Sequence, residues 1–266
     1  MKFNSIAIFC CFLHLTAHVK AQQPAYTNEI GMQFVLVTPG NMTVGKFQPT
    51  VSRVGFDGKP LPEKMYKSAE EMARKDAMPG FTVNIDNAYY IGKFEITQEQ
   101  WEKVMGNNPS AFKNDGSANR PVENITWRDA QAFIKRLNAI DKQHVYRLPT
   151  EFEWEYAARA GAQDDISWKE IFASAVLGGN APSVGGTKKE NVWGLYDMLG
   201  NVWEWVEDFY NEKIFADPVP PVIGKQHVLK GAAFTSDVKN ATYMTHAGGP
   251  GNGFDIGLRI VMEEKK

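Results

Sequence analysis

The sequence is poor in cysteine and histidine, the two residues that most often bind soft or borderline metals. Only two of its 266 residues are cysteines, Cys10 and Cys11, and only five are histidines. Beyond residue 21 the histidines are His144, His227 and His246, which lie too far apart for a His-x-x-x-His site. The sequence therefore predicts neither a disulfide framework nor a histidine metal centre.

An excess of positive charge is absent as well. The chain has 29 lysines and arginines against 31 aspartates and glutamates, a formal net charge of -2 at pH 7. Proteins that bind nucleic acid or an anionic membrane surface normally need a basic patch. No run of lysine and arginine stands out in this chain, so we expect neither as its main partner.

Long apolar runs are missing except at the N-terminus, where residues 6–15 are apolar and follow Lys2. This run is shorter than the roughly 18 apolar residues that a spanning helix needs. It is typical of a cleavable signal peptide, which we place at residues 1–21. Cleavage would remove Lys2, Lys20 and both cysteines, leaving 27 basic against 31 acidic residues. Lipidation is disfavoured because the bulky Phe9 precedes Cys10. We expect a soluble protein exported to the periplasm or beyond, with no transmembrane segment.

Residues 22–266 are enough for one hydrophobic core, and 43% hydrophobic content is ordinary for a folded domain. We therefore expect a single domain. Residues 48–80 are rich in Lys, Pro, Gly and Glu and are interpreted as a surface insertion, in which Ser68 and Glu71 predict the start of a helix. Residues 31–45 alternate in polarity and contain turn residues, a pattern that predicts a β-hairpin.

Three more capping boxes predict three helices. They pair Thr97 with Gln100, Thr126 with Asp129, and Thr150 with Glu153. The second helix has an apolar stripe at helical spacing, which predicts packing in the core and consists of Ala130, Phe133, Ile134 and Leu137. Gly106 and Gly161 are expected to end the first and third helices. After Gly161, frequent Gly, Pro, Asn and Ser predict short strands and ordered loops without another helix.

Two aromatic and acidic segments carry a resemblance to a known family. They are Tyr146–Arg159 and Gly194–Trp205, and shorter matches occur in the same order along residues 31–261. These shorter matches are Pro121-Val122, Trp127–Ala130, Lys230-Gly231 and Gly257–Arg259. The chain resembles the formylglycine-generating enzymes, also called sulfatase-modifying factors. The resemblance implies an α+β, C-type-lectin-like fold with a small twisted antiparallel sheet, two or three helices and much ordered loop.

In the active enzymes of that family, two cysteines hold Cu(I) as soft thiolates and activate oxygen. Counting from Lys230 places Ser236 and Ala241 at the cysteine positions, and Ala233 at a family serine. A hydroxyl and a methyl group cannot bind Cu(I), so we expect neither copper nor formylglycine formation. The loss favours a pseudoenzyme. Ser236 has no evident His–Asp partner and is interpreted as a loop serine that bonds local backbone rather than as a nucleophile.

The resemblance also implies a structural calcium ion held by Asp197, Gly200, Val202 and Glu204. Side-chain and backbone oxygens are the ligands that this hard cation requires. The alternative is that Asp197 caps a turn and Glu204 bonds backbone, and the sequence leaves both open. Arg259, in the family's terminal Gly-x-Arg motif, is expected to pair with a carboxylate inside the fold.

Several other side chains near the two segments could take part in chemistry or binding. An acid–base pair would come from Glu151, Glu153, Glu155, Glu204, Glu207 and Asp208. Structural roles are favoured instead: a helix cap for Glu153, a first-turn position for Glu151, and solvent or backbone contacts for the rest. Most of Trp193, Trp203 and Trp205 are expected to fill the core. The candidate ligand loop residues are Phe209, Tyr210, Ser236, Asp237 and His246.

Three functional hypotheses follow. The first is a non-catalytic, exported module that presents residues 209–224 and 234–254 to a protein or glycan in the cell envelope. The second is a periplasmic tailoring oxidoreductase of the same family that uses a non-cysteine site. The third is a structural subunit of an envelope secretion or motility complex, docked through residues 48–80. The loss of both thiol positions favours the first.

Overall fold

The computed structural model describes residues 25–47, 51–55, 58–76, 78–114, 116–216 and 219–265. The predicted signal peptide lies outside these residues. The strands are β1 Ala25–Thr27, β2 Gln33–Val37, β3 Gly40–Phe47, β4 Met78–Ile85, β5 Tyr89–Gly92, β6 His144–Arg147, β7 Trp203–Phe209, β8 His227–Lys230, β9 His246–Gly248, β10 Ile256–Leu258 and β11 Val261–Glu264. The α-helices are α1 Glu63–Asp76, α2 Gln98–Met105, α3 Trp127–Ile140, α4 Glu151–Arg159 and α5 Trp168–Ser174.

An antiparallel sheet of five strands, in the order β1-β2-β5-β11-β6, separates two hydrophobic clusters. Successive strand residues face opposite sides. Phe34 and Met262 therefore pack with α3, whereas their neighbours Val35 and Val261 pack with Trp154 of α4. The second sheet described next contributes to both clusters: Val206 and Val228 pack with α4, whereas Trp205 and Leu229 pack with α3.

The second sheet has four strands in the order β10-β7-β8-β9, with β10 parallel to β7 and the other pairs antiparallel. A separate ribbon joins β3 to β4. The hairpin predicted over residues 31–45 is wrong, because β2 pairs with β1 and β5 while β3 pairs with β4. Alternating polarity shows which face a residue occupies, but it does not show which strand lies alongside.

The local signals for three helices are confirmed. Thr97, Thr126 and Thr150 each cap a helix through a complete capping box, and Gly106 ends α2 with a left-handed backbone. The four apolar residues of the α3 stripe are all buried. At these three positions the local signal located the helix start to the residue.

Two helix predictions are wrong. Ser68 does not start a helix: α1 begins at Glu63, directly after Pro62, whose carbonyl accepts from the Met65 and Tyr66 N–H groups. Proline suits the first turn of a helix because that turn needs no N–H partner for it. The second error is α5, which begins with a capping box at Ser167 in a region predicted to lack helices. The described residues thus contain five α-helices instead of two or three.

Helix α1 lies in the segment interpreted as an insertion, and most of its side chains are exposed. Lys67 and Lys75 form i,i+4 ion pairs along it, with Glu63 and Glu71 respectively. Such exposed pairs contribute little to stability. No helix in the described ranges is both long and apolar enough to cross a membrane.

Candidate functional site

The segment that follows β8 is where the family's thiols would lie. Ser236 is engaged with its own loop: its Oγ accepts from the Ala233 N–H at 3.0 Å, and its N–H donates to the Ala233 carbonyl at 2.9 Å. The local role predicted for Ser236 is therefore confirmed. Ala241 is fully buried in the core, and Asp237 caps the short 3-10 turn between the two positions through the Lys239 N–H.

An aromatic wall lies beside this segment. The rings of Phe112, Phe234 and Phe254 have centroids 5.6, 6.2 and 6.3 Å apart, and the Phe254 side chain is 52% exposed. Thr235 Oγ1 donates to Asp255 Oδ2 at 2.7 Å and ties the two loops together. Sequence analysis did not identify Phe112, because this residue lies far from Phe234 and Phe254 along the chain and belongs to no motif.

The other candidate ligand residues fall into two separate groups. Tyr210 lies against His246, with ring centroids 5.1 Å apart. Phe209 stacks on His227 at 4.3 Å, and the other face of His227 stacks on Trp127 at 3.7 Å. Among the three tryptophans predicted to fill the core, Trp205 is 1% exposed, whereas Trp193 and Trp203 are partly buried.

Helix α4 presents charged side chains to β8 and β9. Glu151 and Glu155 are one turn apart on the same face of the helix. Their respective partners, His246 and Lys230, are opposite each other on the paired strands. Glu155 is fully buried between Lys230, at 3.2 Å, and Arg159, at 2.7 Å. The expectation that Glu155 faces solvent or bonds backbone is therefore wrong, because it is buried with Arg159 of its own helix and with Lys230 of β8.

The second contact between α4 and these strands joins Glu151 to His246 of β9. Nδ1 of His246 lies 2.8 Å from Oε1 of Glu151, with side-chain exposures of 11% and 2%. Neither atom has an aligned hydrogen bond within the described residues, so the contact is electrostatic in character. Asp208 accepts from the Glu151 N–H at 2.5 Å, and burial raises the pKa of Asp208. The resemblance did not point to this pairing.

A second charge cluster lies at the centre of the fold. Arg259 is fully buried and donates to Glu204 Oε1 at 2.7 Å, and also to the carbonyls of Gly92 and Tyr196 at 2.9 Å each. Trp154 Nε1 donates to Glu204 Oε2 at 2.6 Å. The pairing predicted for Arg259 is confirmed. The expectation that Glu204 meets solvent or backbone is wrong, because its carboxylate is enclosed by side-chain donors.

Two more buried carboxylates face this arginine. Glu95 accepts from Asn201 Nδ2 at 2.6 Å and from the Val202 N–H at 3.1 Å. Burial, followed by the charges of Asp197 and Glu204, raises the pKa of Glu95 well above its usual range. Burial also raises the pKa of Asp197. Three buried carboxyl groups thus lie near one guanidinium, and the raised pKa values of Glu95 and Asp197 mean that the charged forms of these two are disfavoured there.

The predicted calcium ligands fit this cluster unevenly. Asp197 Oδ2 accepts from the Gly186 N–H at 2.7 Å, whereas its buried Oδ1 has no hydrogen-bond partner in the described structure. A buried carboxylate oxygen in that state suits a hard cation. Both oxygens of Glu204 are already used by Arg259 and Trp154. Within the described ranges, no three His, Cys, Asp or Glu side chains form a metal site, so calcium would depend on backbone carbonyls.

Sequence and structural relatives agree on the family. The model of the sulfatase-modifying factor enzyme 1-like domain matches residues 20–264. The chain is 32% identical to the Chaperone protein LppX of Paenibacillus barcinonensis over 231 residues, 65% of this chain and 79% of that protein. It is 29% identical to the formylglycine-generating enzyme of Streptomyces coelicolor over 163 residues, half of each chain.

The fold has solved counterparts. Treponema denticola variable protein 1 superposes with a TM-score of 0.69 at 24% identity, over 91% of this chain and 99% of that one. Identity at this level shows the fold alone. The match to the family model over residues 20–264 establishes that the chain belongs to the sulfatase-modifying factor enzyme 1-like family.

Proposed function

We propose that the protein is a non-catalytic member of this family, exported to the cell envelope, where it binds a protein partner. The observation that carries the proposal is the state of the two thiol positions. Ser236 is bonded to its own loop, and Ala241 is a buried methyl group. Neither offers the soft ligand that Cu(I) chemistry requires. The relative named as a chaperone supports a role in binding proteins.

The binding surface that we propose consists of two parts. One is the aromatic wall of Phe112, Phe234 and Phe254. The other is the loop between β7 and β8, where Val222 and Ile223 are 89% and 82% exposed. Exposed apolar side chains grouped in loops are typical of protein-binding surfaces. Val222 and Ile223 offer sugars neither hydrogen bonds nor an aromatic face, so this part of the surface favours a protein over a glycan.

The first experiment tests for residual oxidase activity. Purified protein from residues 22–266 is incubated with Cu(I) and a cysteine-containing peptide while oxygen uptake is followed, and bound metals are measured by elemental mass spectrometry. An active formylglycine-generating enzyme is the positive control. We expect no stoichiometric copper or iron and no peptide-dependent oxygen uptake. Stoichiometric redox metal together with uptake would overturn the proposal.

The second experiment locates the partner surface. Cross-linked partners are recovered from an envelope fraction with the wild type, with the V222S/I223S variant and with the M65S/M72S variant. Met65 and Met72 are exposed on α1, so the second variant is matched in chemistry but lies in the insertion. We expect V222S/I223S to lose the partner and M65S/M72S to keep it. The opposite result would favour a structural subunit docked through residues 48–80.

A non-cysteine oxidoreductase is the second candidate function. The observation in its favour is the group of Glu151, His246 and Tyr210, in which buried acid and base atoms lack aligned hydrogen bonds. Such a group can move a proton. If the first experiment detects oxygen uptake, the H246Q variant decides between the candidates, because only an enzyme that uses this group loses the uptake.

We also propose that calcium binds at Asp197. The free Oδ1 of Asp197 supports this, with the carbonyls of Gly200 and Val202 as further ligands and with Glu204 contributing charge from behind Arg259. The cation would offset the excess of buried carboxylates in this cluster. Its role would be structural, since no candidate reactive group belongs to this cluster.

A further inference from the structure

A cavity of about 440 Å3 opens on the side of the molecule formed by α4 and α5. Its walls are the turn after α4, the segment that leads into α5, one face of α5, and residues 189–192. Its floor includes Tyr243, which is 8% exposed. The volume is within the range of clefts that hold a small ligand or one large side chain.

The polar lining of this cavity is mainly acidic. Four carboxylates contribute to it, those of Asp164, Asp165, Glu170 and Glu190. None of them takes part in an ion pair among the described residues. The cations in the lining are Arg159, which is committed to the buried Glu155, and Lys189. With four carboxylates against two cations, the lining of the cavity carries a net negative charge.

Hydrogen bonds hold the two best-placed carboxylates in position. Asp165 Oδ1 accepts from the N–H groups of Ile166 and Tyr243, at 2.8 and 3.2 Å. Ser167 hydrogen bonds lower the pKa of Glu170. Both carboxylates also act on Tyr243 in the floor of the cavity. Burial of Tyr243, followed by the charges of Glu170 and Asp165, raises the pKa of its hydroxyl group to about 12.

Apart from Ser174, Asn191 and Tyr243, the remaining lining is small or aliphatic. It consists of small side chains from the turn after α4 and from α5, with Ile166 on one side and Val192 on the other. Val192 is 53% exposed and leads from the cavity to the surface. A lysine side chain has the matching chemistry, since it buries an apolar stem and keeps a charged end. A cavity that is aliphatic near its walls and acidic in its polar lining complements that shape and charge.

We propose that this cavity binds a lysine side chain of the partner polypeptide. The inference rests on the proposed protein-binding function and adds a second contact point to the surface described above. The partner segment lies across Val192 and inserts its lysine toward Asp165, with Tyr243 beneath the stem. Charge complementarity selects a basic segment over a neutral or acidic one.

The test uses fluorescein-labelled peptides that differ only at a central position, which is lysine, norleucine or glutamate. Binding to the full chain of residues 22–266 is measured by fluorescence polarisation at low salt. We expect the lysine peptide to bind at least tenfold more tightly than the norleucine peptide, and the glutamate peptide not to bind. Equal affinity for lysine and norleucine would overturn the proposal without relying on any variant.

Two variants then locate the site. D164N/D165N removes two charges but keeps an Oδ1 acceptor for the backbone N–H groups at Asp165. We expect it to weaken lysine-peptide binding at least tenfold. The matched control is E99Q/E102Q, which also removes two charges, both exposed on α2, and it should leave affinity unchanged. Unaltered binding by D164N/D165N would contradict the assignment.

A third arm separates a polypeptide from a free amine. If cadaverine displaces the lysine peptide with an affinity equal to that of the peptide itself, the ligand is a small diamine, and the polypeptide assignment is overturned. Failure of the cavity proposal is distinguishable from failure of the proposed function. Copper-dependent oxygen uptake would refute the latter while lysine selectivity persisted, whereas loss of lysine selectivity leaves the argument from Ser236 and Ala241 intact.

Discussion

Replacing Arg259 with methionine should destabilise the protein severely. Methionine fills much of the same volume but leaves Glu204 with only Trp154 as a donor, and leaves Glu95 and Asp197 without a nearby cation. Removing one partner of a buried ion pair typically costs about 3–5 kcal/mol, because the other charge stays buried. For a domain of this size that loss corresponds to a fall in Tm of about 6–20 °C.

The assay is urea denaturation followed by circular dichroism, with thermal melts in parallel. Arg53 supplies the control: it is exposed and makes a 4.0 Å ion pair with Glu63 and a cation–π contact with Tyr66, so R53M should change stability by less than about 1 kcal/mol. The double variant E204Q/R259M should recover part of the loss, since it removes the unpaired charge together with its partner.

The deficit of R259M should also depend on pH. Arg259 lowers the pKa of Glu95, which is nevertheless raised overall. A carboxyl group whose folded pKa exceeds its unfolded value contributes stability at low pH and loses it as pH rises through the folded pKa. Without the arginine the folded pKa of Glu95 rises further. The stability of R259M should therefore fall more steeply than that of the wild type as pH rises above about 4.5.

Two results would refute this reasoning. A loss below about 1 kcal/mol would mean that the three carboxylates do not depend on the guanidinium. Lost partner binding at unchanged stability would assign Arg259 to the binding surface instead of the core.

Three other changes test separate parts of the structure. Calcium should raise the Tm of the wild type but not of D197N. Without calcium, only the wild type should lose Asp197-dependent stability as pH rises above about 4, because the pKa of this carboxyl group is raised in the folded state. Equal responses to calcium and EGTA in both proteins would exclude Asp197 as a ligand. K230M should cost about 3 kcal/mol in urea denaturation, since the buried Glu155 loses one of its two cations; a change within about 0.5 kcal/mol would show that the pair is dispensable. G200A should cost more than G116A in the same assay: both glycines have φ +81°, but only a Cβ at Gly200 would strike neighbouring backbone. A similar loss in both would mean that backbone strain alone, about 1–2 kcal/mol, accounts for the effect.

Local signals carried most of what could be predicted about the helices. The capping boxes at Thr97, Thr126 and Thr150 depend on residues three positions apart, so the sequence displays them fully. Helix α5 escaped prediction because it is only seven residues long and buries little beyond Ile171. A short helix with one buried residue has no apolar stripe to recognise.

Long-range pairing accounts for the failures at the candidate site. Glu155 meets Lys230 from 75 positions away, and Glu204 meets Arg259 from 55. Charged residues are almost never fully buried unless paired, so a carboxylate read in isolation is assigned to solvent. Of these charged residues, only Arg259 had its buried pairing predicted by the family motif. The acidic cavity could not be foreseen either, because its walls come from segments that share no motif.

The position of Arg259 in the chain affects how the protein is made. Its side chain bonds Gly92, Tyr196 and Glu204, so three segments from different stages of synthesis meet at one residue. Until residue 259 has left the ribosome, burying Glu204 would enclose an uncompensated charge, which is strongly unfavourable. We therefore expect the core around Glu204 to stay unfolded in the nascent chain until β10 and β11 have been synthesised.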